Sequence, residues 1–134
     1  MATYNDFVKH YQLNRTMHEK FKKECEKKML VLKHKFVWHF ESPKDNLVTE
    51  GPFFQDYKFA YKLNLIFIYE DPITHKKEPK VITFLIKFLP PLGQRIEFNG
   101  KEYQWSDSLK ELFEAFTNYV MSDNTIFGIT DQKS

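Results

Sequence analysis

Cysteine occurs once in this chain, at Cys25, so no internal disulfide can form and a reducing, cytoplasmic setting is expected. Glycine occurs four times, too seldom to build a phosphate-cradling loop, and no Walker or G-x-S-x-G sequence is present. Arginine is nearly missing: of 20 Lys and Arg residues, all but Arg15 and Arg95 are lysine. Few planar forks are therefore on hand for bidentate recognition of phosphates or bases. No apolar run approaches the ~20 residues of a membrane span. Asp6, Lys9 and His10 interrupt any signal-peptide core, so no membrane partner is expected.

What the chain has in abundance is aromatic side chains and lysine. Fourteen Phe in 134 residues, with 42% hydrophobic residues overall, exclude disorder and suffice for one domain, residues 1–134, with a real core. The net charge of +2 is unevenly spread. Residues 1–35 carry nine Lys/Arg against four Asp/Glu, whereas residues 106–134 carry two against five. Lysine and phenylalanine in excess over alanine and glycine read as an AT-rich coding bias, which a bacterium, phage or virus would supply equally well; a phage, viral or mobile-element accessory protein fits it.

The strongest pattern runs from Phe59 to Leu89. Phe59, Tyr61, Leu63, Leu65, Phe67 and Tyr69 fall on every second residue, as do Ile82, Phe84, Ile86 and Phe88. That period predicts two half-buried strands joined by the polar loop 71–79. The same alternation from Leu30 to Phe40 predicts a strand before them, ended by Ser42-Pro43. Upstream, a short helix over 4–12 is expected to break at Asn14-Arg15-Thr16. A second helix then runs from about Met17 to Leu30, opened by a Thr16/Glu19 capping box. Leu47–Tyr57 reads as a turn with Phe53-Phe54 as a plug. Asn99-Gly100 predicts a type I′ hairpin that pairs Ile96 with Tyr103 and Glu97 with Glu102. Leu109, Leu112, Phe113, Phe116, Tyr119 and Val120 predict a C-terminal amphipathic helix after a Ser106–Ser108 cap, and Ile126, Phe127 and Ile129 read as a docked tail. The fold class is α+β: an antiparallel meander of three long strands plus a hairpin, with one or two N-terminal helices and the C-terminal helix packed on one face.

Catalytic signatures are weak. His34 and His39 point to opposite faces of the predicted strand and share no metal, and no HxH or HxxxH pair exists. Cys25 lies on an apolar helix stripe between Glu24 and Glu26, which oppose a thiolate. Glu70 or Asp71 with Glu78 and Lys80 approximates a metal-dependent nuclease set, but with Glu78 and Lys80 in the loop. No catalytic residue, cofactor or metal ligand is assigned, and the chain reads as non-enzymatic.

Binding is the stronger reading. Ala60, Ile66, Ile68, Val81, Leu85 and Leu89 point away from the main apolar face, so a second apolar face is either covered by residues 47–57, open to a partner or second copy, or part of a pocket for an apolar ligand. Interface anchors tend to be aromatic and apolar. The candidates are Trp38, Phe53, Phe54, Tyr57, Ile66, Leu85, Tyr103 and Trp105. The function expected is a non-catalytic binding protein acting through a protein–protein interface, by association with another protein or with itself. The alternative is a nucleic-acid-binding domain using Lys20, Lys23, Lys27, Lys33 and Lys35, whose positive potential would suit phosphates.

Overall fold

The computed structural model describes residues 1–90, 93–106 and 108–122. A single helix α1 spans Tyr4–Phe40, followed by a 3-10 turn at Lys44–Asn46. The strands are β1 (Leu47–Gln55), β2 (Lys58–Glu70), β3 (Lys77–Leu89), β4 (Arg95–Phe98) and β5 (Lys101–Gln104), and α2 covers Lys110–Met121. The five strands form one antiparallel sheet in the order β1-β2-β3-β4-β5. This is the expected α+β meander with helices on one face, but its first strand is a different segment.

Two expectations about the N-terminal third are corrected. The chain does not break at Asn14, and Leu30–Phe40 is helix rather than strand. No glycine or proline lies between Tyr4 and Ser42, so nothing ends a helix once one has started. The start is set further upstream, where Thr3 and Asp6 form the capping box: Asp6 N–H donates to Thr3 Oγ1 and Thr3 N–H to Asp6 Oδ2 at 2.9 Å. Thr16 caps nothing; its hydroxyl donates to the Gln12 carbonyl within the helix. The alternation over 30–40 concealed an i,i+4 pair. Leu32 and Phe36 are buried, whereas Leu30 and Trp38, on the same predicted strand face, are 72% and 74% exposed. Helix α1 stops at Glu41, which takes a left-handed conformation before Pro43.

Residues 47–55 are neither plug nor cover. They form the edge strand β1, displaced by a bulge between Glu50 and Phe53 where Gly51-Pro52 interrupts the ladder. At Gly51, with φ +127°, a Cβ would approach the Ala60 carbonyl to 2.9 Å, so glycine is required there. The β4–β5 hairpin has the expected register, with Asn99 and Gly100 both at positive φ. Its facing carboxylates are each supplied with a cation. Glu97 accepts from Lys58 at 3.0 Å, with Lys87 at 3.9 Å, and Glu102 accepts from Arg95 at 3.1 Å. Helix α2 starts later than predicted, after Leu109, whose amide donates to Ser106 Oγ. The expected tail at Ile126, Phe127 and Ile129 lies outside the described residues.

The core lies between the sheet and the helices. Phe21, Cys25, Met29, Leu32 and Phe36 of α1 meet Leu63, Phe84, Ile86 and Phe88 of the sheet and Leu112, Phe113 and Phe116 of α2. Phe36 packs against the rings of Phe40, Phe84, Phe113 and Phe116, which ties α1, β3 and α2 together.

Candidate functional site

The catalytic candidates are dispersed. Glu78 and Lys80 lie inside β3, not in the loop, because β3 begins at Lys77. Glu70 pairs across to Lys77, and Glu78 to Tyr69. The pleat therefore puts Glu70 and Glu78 on opposite sheet faces. Asp71 uses its carboxylate to accept from the Ile73 and Thr74 amides and so shapes the turn. His34 and His39 stand on the helix rather than a strand, and among the described residues no three His, Cys, Asp or Glu side chains come together as a metal site.

Cys25 is fully buried, with its sulfur close to where a Cβ on Gly93 would sit. Burial pushes its thiol up to about 12, with Glu24 and Glu26 acting in the same direction and Lys28 against it. Burial likewise raises Tyr61, whose hydroxyl is enclosed without a hydrogen-bond partner among the described residues. A raised folded-state value means that the fold favours the neutral thiol. That stabilisation is intact below the unfolded-chain value near ~8.5 and is lost as pH rises towards the folded value. The urea midpoint should therefore hold from pH ~7 to ~8 and fall steadily between ~9 and ~11. Cys25→Ala should show a shallower alkaline slope than wild type; equal slopes would contradict the assignment.

The lysines divide by helix geometry. At 100° per residue, Lys20, Lys23 and Lys27 share the outer face of α1, while Lys33 and Lys35 fall on opposite flanks. Glu24 lies within 4.0 Å of both Lys27 and Lys28, and Glu19 within 2.8 Å of Arg15. This is a mixed-charge face with a three-lysine row, rather than one surface of five.

The second sheet face is open among the described residues, because β1 lies beside β2 and not over it. It is also less apolar than its alternation suggests. Asn64 and Thr83 pair across it at 2.6 Å, Lys62 lies over the Phe53 ring, and Lys58, Lys87 and Glu97 gather at one end. These groups separate Leu85 from the Ile66, Ile68 and Val81 cluster. The other candidates scatter. Trp38 is exposed on the outer face of α1, while Tyr103 and Trp105 pack partly against the core, Trp105 with Lys28 5.8 Å from its ring. Phe53 and Phe54 point to opposite faces, because they pair with Ala60 and Phe59.

Phe54 leads to a surface not anticipated from sequence. Its ring packs at 4.6 Å on His18 of α1, beside Phe59. From that contact towards its N-terminus, α1 leaves the sheet: residues 1–17 are all exposed. The free part, Tyr4 to Met17, is about 20 Å of helix. Along it the seam that faces the sheet continues with 3,4 spacing. Tyr4, Phe7, Tyr11, Asn14 and His18 precede Phe21, Cys25, Lys28 and Leu32, the period of a helix–helix seam. Tyr4, Phe7 and Tyr11 are 79%, 58% and 73% exposed. Val8 and Met17 widen the stripe, and Arg15 alone brings a formal charge to its borders. The expected break at Asn14 hid this run, since two short helices have no common seam.

The β1–β2 turn adds a second signal. Asp56 and Tyr57 take φ of 52° and 61°, the left-handed region, in which a bulky side chain costs roughly 1–2 kcal/mol. Glycine would relax Tyr57, yet an exposed aromatic is held there, and such strain often accompanies function. Tyr57→Gly should therefore raise stability by about 1 kcal/mol. A lower melting temperature for that variant would contradict the strained turn.

A cleft of about 470 Å³ opens at the far end of the molecule, walled by Phe36, Phe40, Leu65, Phe84, Phe116 and Val120, with Glu41 and Ser42 among its lining. No helix among the described residues is long and apolar enough to cross a membrane. No protein-family model, curated protein or solved structure matches this chain.

Proposed function

We propose that this is a non-catalytic binding protein that works through a protein–protein interface formed by the projecting half of α1 and the Phe54–Tyr57 turn. The observation that supports this most is the open aromatic seam Tyr4–Phe7–Tyr11, on the same helix that is buried in the core from Phe21 to Phe36. This segment is held only by propagation from the packed part of α1, and among the described residues its apolar stripe is exposed, so its far end is free to fray. A partner that covers the stripe removes that weakness, and aromatic side chains are the usual anchors of such contacts. The test is a pair of charge variants. Phe7→Lys with Tyr11→Lys should abolish protein association while leaving the melting temperature nearly unchanged, since both sites are exposed in the free protein. Leu85→Lys, on the polar-broken sheet face, should change neither.

The nucleic-acid alternative rests on the Lys20, Lys23 and Lys27 row and gives the opposite pattern. Binding would weaken steeply between low and physiological salt and would respond to Lys23→Glu with Lys27→Glu. A second reading is favoured by the distal cleft, whose volume and apolar walls suit a small apolar ligand. Saturable binding of a long-chain fatty acid, weakened by Val120→Trp, would support it. Binding unaffected by that substitution would place the ligand elsewhere.

A further inference from the structure

We infer that the partner on the projecting seam is a second copy of this chain, lying antiparallel so that each α1 covers the seam of the other. This rests on reading that seam as a protein interface and goes further by naming its occupant. The free seam has two fixed limits. The Thr3/Asp6 capping box starts the helix, and the Phe54 ring on His18 marks where the sheet takes over the same face. A second projecting helix has the same length. Laid antiparallel, it fills the interval, and each helix start arrives beside the partner's β1–β2 turn.

The parallel arrangement is sterically blocked. The sheet occupies the seam face from His18 onward, so two parallel helices joined along this face would drive their sheets into one another. Antiparallel helices put the two sheets at opposite ends. Such a pair is also self-complementary, as a two-fold interface must be. The borders of the seam hold Val8, His10, Arg15 and Met17, so few charges are brought together. Asn14, whose amide already touches His10 at 3.2 Å, is a polar residue at a core position, which commonly fixes register at some cost in affinity.

The contact is modest. Tyr4, Phe7, Tyr11 and Phe54 from each copy, with Val8 and Met17, would cover roughly 1,000–1,500 Å² in total, the lower part of the range for specific interfaces. The expected dissociation constant is therefore of the order of micromolar.

Sedimentation equilibrium over a concentration series tests the inference, together with cross-linking. Wild type should show a monomer–dimer equilibrium, Tyr11→Lys should be monomeric with an unchanged melting temperature, and Tyr11→Phe should dimerise. Mixing Ala2→Cys with Met17→Cys protein should give a disulfide-linked heterodimer, while Ala2→Cys alone should not cross-link. A wild-type protein that stays monomeric well above the micromolar range, a dimer insensitive to Tyr11→Lys, or cross-linking of Ala2→Cys with itself would overturn it. If wild type is monomeric but binds a different protein and loses that binding on Tyr11→Lys, the interface reading stands and the second copy is excluded.

Discussion

Phe36→Ala should leave little cooperative unfolding, whereas Trp38→Ala, two residues on, should melt almost as wild type does. Phe36 is buried among four aromatic rings drawn from α1, β3 and α2. Truncating a buried phenylalanine costs about 3–5 kcal/mol in lost transfer energy and residual cavity. Against a typical domain stability of about 5–15 kcal/mol, that is a large share. Trp38 points outward from α1, and its removal should cost within about 0.5 kcal/mol. The contrast discriminates between the two periodicities. A strand over 30–40 would put both side chains on one face and make their losses comparable. Equal destabilisation, measured by urea unfolding, would contradict the helix.

Proline scanning along α1 should give an equally sharp contrast. Lys33→Pro removes a backbone donor in the packed half and forces a kink, at about 3 kcal/mol or more. That kink would also pull Phe36 and Leu32 out of register with the sheet, so severe destabilisation is expected. Asn14→Pro makes the same chemical change in the stretch of α1 that is exposed among the described residues. Its melting temperature should stay close to wild type, while circular dichroism loses part of the helical signal and association disappears. Severe destabilisation by Asn14→Pro would mean that the first half of α1 carries part of the fold.

The legible parts of the fold were those where one local signal had no competitor. β2 and β3 announced themselves by long alternation with β-rich residues, the Asn99-Gly100 turn by its need for positive φ, and α2 by a broad apolar face. The alternation over 30–40 was ambiguous, because Leu32 and Phe36 satisfy both a strand and a helix, and only the missing Gly and Pro favoured the helix. β1 was obscured for the opposite reason: Gly51-Pro52 reads as a turn, yet here it makes a bulge in an edge strand. Of the interface candidates, Phe54 and Tyr57 lie at the turn beside the projecting helix, while Trp38, Ile66 and Leu85 lie elsewhere. Phe7, Val8 and Tyr11 share one side of a short 4–12 helix, but their continuity with the core seam becomes visible only once the helix is unbroken through Asn14.

Amide hydrogen exchange on dilute protein, where association is negligible, bears most directly on the claim that carries the functional reading: α1 changes character at His18. Residues 21–36 are held by the core and should exchange slowly, near the global unfolding limit. Residues 4–17 should exchange orders of magnitude faster, as a helix with its apolar seam uncovered, and should slow when a partner is added or the protein is concentrated. Uniformly slow exchange from residue 4 to residue 36 in the dilute protein would contradict the account, because the seam would then already be covered within a single chain.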